Sequence, residues 1–225
     1  MAKLTWDETG TRRFETGVDH GVVYPYNSAT KQYDSGYSWS GLTSVSESPS
    51  GADANDLYAD NIKYLTLRAA EEFGATIEAY NYPEQFAVLD GTAELVSGVS
   101  IGQQSRGTFG FSFRARIGND TDGDSHGYML HLIYGASVSP SERAYASVND
   151  SPEAISFSWE LSTIPVNVTG FKPTAIIRID STKFTTEKAK AALTAFEDIL
   201  YGNDQDEPRL PLPDEVKTKL TVAAG

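Results

Sequence analysis

The 225-residue chain has no cysteine, two methionines and three histidines. Without cysteine there are no disulfides, thiolate zinc sites, iron–sulfur clusters or cysteine nucleophile, so the fold rests on packing and backbone hydrogen bonds. Long apolar runs are also missing. No stretch approaches the roughly 18–20 apolar residues of a membrane-spanning helix, and MAKLTWDETGTRRFE lacks the apolar run of a signal peptide. The expectation is a soluble protein made and folded in the cytosol, with no membrane partner. Bases are scarce, at 18 Lys+Arg against 31 Asp+Glu for a formal charge of −13. That balance opposes sequence-independent binding to phosphate backbones, which depends on Lys and Arg replacing condensed counterions.

The acids are not evenly spread. Residues 1–180 hold 23 acidic and 12 basic side chains, and residues 181–225 hold 8 and 6. The acidic part has a β signature, with short runs rich in Val, Ile, Tyr, Phe and Thr around 20–24, 37–47, 61–70, 75–82, 106–117, 127–135, 154–163 and 173–180. Eight or so such strands predict a mainly β, antiparallel sandwich or barrel. Period-two alternation in Ala154–Leu161 puts Ile155, Phe157, Trp159 and Leu161 on one face, and Ala175, Ile177 and Ile179 share a face opposite Arg178 and Asp180. The spacing predicts two long strands over 61–70 and 75–82 joined tightly at Gly74, with Thr76, Glu78 and Tyr80 on the polar face and a bulge near Tyr64-Leu65.

Two helices interrupt this pattern. Pro83–Gly91 fits a short helix with proline in its first turn and glycine beyond its end. From a Thr185/Thr186 cap to Gly202, the stripe Ala189, Ala192, Leu193, Phe196, Ile199, Leu200 predicts an amphipathic helix over about 186–201 that must lie on a sheet. These elements make one domain over 1–202. The acidic linker 203–207 and Arg209-Leu210-Pro211-Leu212-Pro213 then predict a C-terminal arm over 203–225. Residues 44–60 and 118–127 are expected as long polar loops.

Several chemical motifs are incomplete. Gly98-Val99-Ser100-Ile101-Gly102 matches G-x-S-x-G, and Asp120, His126 and His131 follow, but strand rather than helix is expected after it, against a nucleophile elbow. Asp120, Asp122 and Asp124 alternate like the start of a calcium loop, yet Ser125 and His131 stand where Gly and Glu are needed. His20, His126 and His131 lack zinc spacing. Glu71 and Glu72 are strand neighbours pointing to opposite faces, so they cannot flank one sugar. The sequons at Asn119, Asn149 and Asn167 carry no weight without a secretory signal. No catalytic, metal-binding or cofactor-binding set is expected.

The segments GLTSVSESPSG (41–51), YADNIKYL (58–65), EEFGATIEAY (71–80), IGQQ (101–104), NDSPEA (149–154), VNVTGFKP (166–173) and LPLPDE (210–215) give the chain its specific wording. It resembles the major tail protein of long-tailed, non-contractile bacteriophages and related prophages; residues 25–38 and 217–225 fall outside the resemblance. What the resemblance implies is a structural, non-enzymatic virion protein, assembled in the host cytoplasm, with a tail-tube β-sandwich and flanking helix. It implies homohexameric rings stacked into a tube, contacts with tape-measure and tail-tip or terminator proteins, and an acidic channel through which DNA passes without being bound. Within that picture the candidate lumen-facing acids are Glu47, Asp60, Glu72 and Glu78. The candidate ring-stacking positions are Ser50, Asp53 and Asp56 in the 44–60 segment and Arg209, Leu210 and Leu212 in the arm. The competing readings are a virion sugar-binding or host-recognition β-sandwich and an esterase acting through Ser100.

Overall fold

The computed structural model describes residues 4–145, 147, 150 and 154–221. In chain order the strands and helices are β1 (Arg13–Asn27), β2 (Gln32–Tyr33), β3 (Tyr37–Trp39), β4 (Leu42–Glu47), β5 (Ser50–Gly51), β6 (Ala54–Ala59), β7 (Ile62–Arg68), β8 (Glu71–Glu72), β9 (Gly74–Ala79), α1 (Glu84–Leu89), β10 (Ala93–Val96), β11 (Val99–Ile101), β12 (Phe109–Asn119), β13 (Gly123–Val138), β14 (Phe157–Thr163), β15 (Ile176–Asp180), α2 (Glu187–Tyr201) and α3 (Pro213–Thr221). The expected mainly β, antiparallel architecture with a flanking helix is what forms.

Nine strands make one sheet along the path β2-β1-β12-β13-β14-β9-β4, with β3 added to β1 and β15 to β13. The sheet forks at β13, whose Met129–Ile133 half pairs with β15 while Ala136–Val138 pair with β14. The β14-β9-β4 branch turns back over β1-β12-β13, bringing β4 beside β1 and enclosing the main core in a barrel-like body without a closing ladder between those two strands. Alternation along β13 builds a core on each side. Ile133 and Ala136 face Trp39, Ile77, Phe86, Phe111 and Trp159 between the layers, whereas Leu130, Leu132 and Tyr134 face α2 through Leu193, Phe196 and Leu200. The α2 ends match the expectation. Thr186 Oγ1 accepts the Ala189 N–H at 3.1 Å, and Gly202 closes the helix with φ 79°. The short helix also forms as α1, with Pro83 at its N-terminal cap.

Three expectations change. Residues 61–70 and 75–82 are not partners of each other across Gly74; Gly74 simply begins β9. Instead β7 pairs with β6, β8 with β5, and β9 with β4. These ladders form one hairpin, because paired residue numbers add to 122 from Ser44/Glu78 through Ser50/Glu72 and Ala54/Arg68 to Leu57/Leu65. The expected 44–60 loop is therefore strand. Its true turn is Asp60-Asn61, with φ of 52° and 64°, the left-handed pair that a two-residue hairpin turn requires. The bulge near Tyr64 is present, since Leu57 pairs with Leu65 but Tyr58 with Lys63, leaving Tyr64 as the extra residue. The 118–127 connector shrinks to the β12–β13 turn, pinned by Asn119 Oδ1 accepting the Thr121 and Asp122 N–H groups.

The third change concerns the C-terminal arm. Pro208–Val216 folds back onto the helix-side core: Leu210 is 2% exposed, Val216 is buried, the Arg209 N–H donates to Ile199 O at 2.8 Å, and Tyr134 Oη donates to Pro211 O at 3.0 Å. A leucine flanked by prolines looks detachable in sequence, but its side chain fills the hollow above Gly110 and Tyr33.

Candidate functional site

The hairpin from Leu42 to Ala79 has a root inside the barrel and a projecting arm. Residues 48–72 are all exposed except the half-buried Ala52 and Asp56. At about 3.3 Å per residue, the dozen residues from Ser48 to the turn give a reach of about 40 Å. Strand alternation gives the arm two unlike faces. Leu57, Ala59, Ile62, Leu65, Leu67 and Ala69 share one with Asn55, and Asp56, Tyr58, Lys63, Thr66 and Arg68 the other. The polar face is internally bonded, with Lys63 Nζ 2.8 Å and Thr66 Oγ1 2.6 Å from Asp56 Oδ1. The apolar face is bare: Ile62 is 63% and Leu67 54% exposed. Such a strip of exposed aliphatic side chains is unusual on the surface of a monomeric protein.

The barrel's outward surface on β4, β9 and β14 is of the opposite character. Ser44, Ser46, Thr76, Glu78, Ser158, Glu160 and Ser162 point away from the core filled by Val45, Ile77, Trp159 and Leu161. Ser44 Oγ donates to Glu78 Oε2 at 2.8 Å, and Ser137 and Ser162 hydroxyls meet at 3.0 Å. This face is hydroxyl-rich and acidic, and none of these side chains is basic. It runs on to Glu72, which has the same strand parity as Glu78. Among the described residues strand β4 ends the sheet path, with no ladder on its outer side and its Leu42 end lying against Gly21 of β1.

The four acids named from sequence are thus divided. Glu72 and Glu78 share the hydroxyl-rich face, and Asp60 sits at the arm's tip. Glu47 points the other way, because its partner in register is the buried Ala75. Its carboxylate lies at the barrel mouth, ion-paired with Arg178 and 2.9 Å from His131 Nδ1. Glu160 completes the acidic face, and sequence reasoning passed over it although the Ala154–Leu161 alternation already placed it opposite Trp159. Ser50 and Asp53 lie on the exposed arm, and Asp56 is engaged with Lys63. In the C-terminal segment Arg209 pairs with Glu215 at 2.6 Å, Leu212 is partly exposed and Leu210 is buried, so Leu210 is no projecting contact in the folded chain.

The remaining motifs resolve locally. Ser100 lies in the β10–β11 hairpin after the Gly98 turn, in strand and not at a strand-to-helix elbow. Asp120 accepts the Gly10 N–H, and Asp122 Oδ2 takes Asn119 Nδ2 and lies 2.9 Å from His126 Nδ1, so these acids lock the turn. His20 Nδ1 meets Asp19 at 2.7 Å. The Asn149 sequon lies outside the described residues apart from Asp150.

No family model and no curated protein sequence matches the chain. Among solved structures, it is similar to a chain of the PVC sheath–tube complex in its extended state, from an extracellular contractile injection system. The TM-score is 0.32 at 12% identity, covering 72% of this chain and 88% of that one. A chain of the same system's sheath/tube terminator gives a TM-score of 0.30 at 11% identity, with 79% and 99% covered. Overlap at this level assigns neither role nor partner to this chain.

Proposed function

We propose that the chain is a structural subunit that polymerises with copies of itself into a tube, with the β4-β9-β14 face lining its bore. The observation that carries this reading is that β4 ends the sheet path, among the described residues, beside an acidic, hydroxyl-covered face. Pairing that edge with a neighbouring copy is a heterologous contact, which closes into a ring when the rotation allows, six copies in the arrangement implied by the sequence resemblance. The projecting arm, unlike its surroundings in exposing leucine and isoleucine, supplies a second contact along the tube axis.

The bore would then repel phosphate along its length. Glu72, Glu78 and Glu160 repeat in every subunit, so DNA finds no deep binding minimum and slides. In this reading the tube belongs to a virion tail, meeting a tape-measure protein within and a tip or terminator protein at its ends. Electron microscopy and sedimentation of the purified protein over a wide concentration range test it. Rings or hollow tubes are expected; monomers persisting at millimolar concentration overturn it, and monomers that bind glycans would favour a recognition module.

A further inference from the structure

The arm leaves the barrel directly after Glu47, and this residue ties the hairpin to the opposite layer. Its Oε1 lies 2.9 Å from His131 Nδ1 and its Oε2 is ion-paired with Arg178. His131 and Arg178 face each other in the β13–β15 register, so one carboxylate links the end of β4 to two strands across the barrel mouth. The imidazole is 7% exposed and stacks on Phe113 with centroids 4.4 Å apart and planes 12° apart. A carboxylate only accepts, so Nδ1 carries the proton, and among the described residues the buried Nε2 has no partner. This fixes the ring in one tautomer and makes it a rigid stop. The groups that face the ring are Glu47, Arg178 and Glu15, around a crevice of about 320 Å³ that Val45, Ala115 and Met129 also line.

We propose that Glu47 is the positioning residue of the arm: its bridge to His131 and Arg178 sets the direction in which residues 48–72 leave the barrel. At the root the returning strand is also anchored by Phe73, which packs on the interlayer core and whose carbonyl accepts the Thr163 hydroxyl. On the outgoing strand Glu47 is the last tie across the barrel mouth among the described residues, and past it the ladder continues through Ser48 N–H to Gly74 O at 2.8 Å and the Ser50/Glu72 pair. A two-stranded ribbon bends easily, so its aim is decided at the root. Glu47 is not part of the interlayer core, whose nearest members are Val45 and Phe113. Releasing the bridge therefore swings the arm without opening the barrel. The consequence for assembly rests on the tube reading; the positioning itself does not.

Hydrogen exchange on the full chain, read by mass spectrometry at neutral pH, tests this in Glu47→Ala and Arg178→Gln. Amides of 48–52 and 69–74 should exchange about tenfold faster in Glu47→Ala, which removes both contacts, with 75–79 and 157–163 unchanged, because opening is confined to the root. Unchanged exchange at the root overturns the proposal, and so does equal acceleration in the barrel strands, which would make Glu47 an ordinary stabilising residue. Arg178→Gln keeps the His131 contact and should loosen the root about threefold, which preserves the test if Glu47→Ala does not fold. Should the root loosen as expected while the parent protein never assembles, the positioning stands and the tube reading falls.

Discussion

Leu210→Ala probes whether the C-terminal segment belongs to the fold or merely trails from it. The side chain is 2% exposed, within the cluster formed by Tyr33, Tyr134, Leu193, Phe196 and Leu200. Truncating a leucine so enclosed leaves a cavity and costs about 3 kcal/mol. For a chain of this size the midpoint of thermal unfolding should fall by roughly 6–12 °C. Removing 203–225 altogether also strips Val216 and leaves three groups without partners: the Gly36 N–H that bonds Pro208 O, the Ile199 carbonyl and the Tyr134 hydroxyl. Together these losses are about 8 kcal/mol, comparable to the ~5–15 kcal/mol that holds a whole domain together. The fragment ending at Gly202 should therefore be unfolded. Urea titration followed by tryptophan fluorescence measures both variants. A cost below about 1 kcal/mol for Leu210→Ala, or a cooperative transition in the fragment, would refute the reasoning.

Three further outcomes are expected. Replacing Leu57 and Leu67 with aspartate should change unfolding free energy by no more than about 0.5 kcal/mol, as for exposed positions generally, while abolishing any assembly seen by sedimentation; intact assembly would remove the arm's apolar face from the contact. Under the tube reading, Glu78→Lys and Glu160→Lys should leave tubes intact but slow or trap DNA during ejection, and unaltered ejection would take these residues off the bore. Acid should destabilise the chain in two stages. Burial holds the His131 ring below its usual 6.5, so its contribution is complete above that pH and declines as pH falls toward the folded value. Asp180 is burdened by desolvation, but its bonds to Thr182 and Arg13 prevail and hold it below 3.8, so its contribution is lost only at still lower pH. Denaturant titrations across pH 3–8 read both stages, and His131→Phe should erase the first.

The helices were legible because their signals are local: a Thr186 cap, a 3.6-residue stripe and a glycine stop all lie within one stretch of chain. The Tyr64 bulge was legible for the same reason, as a break in alternation. The pairing partners were not. Val-, Ile- and Tyr-rich runs at 61–70 and 75–82 look like neighbours, and only the register with residues 42–59, set by the Asp60-Asn61 turn, shows that they follow one another along the same side of a hairpin. A polar, small-residue stretch such as SVSESPSGADAND hides a strand because neither of its faces is apolar until Leu57. Glu47 and Glu78 look equivalent as strand acids, and the β4–β9 register, which pairs Glu78 with Ser44 and Glu47 with Ala75, puts them on opposite sides. Leu210 was unreadable because nothing in a proline-rich run announces the hollow that receives it.

The placement of the tryptophans makes the protein its own optical reporter. Trp39 and Trp159 lie 5.2 Å apart with their ring planes at 73° inside the core, whereas Trp6 is 76% exposed. The interior pair should emit toward the blue, share an excitonic near-ultraviolet signature and resist iodide, while the outer indole emits toward the red and is quenched freely. Fluorescence can therefore follow the barrel and the leading segment as separate channels, without any label.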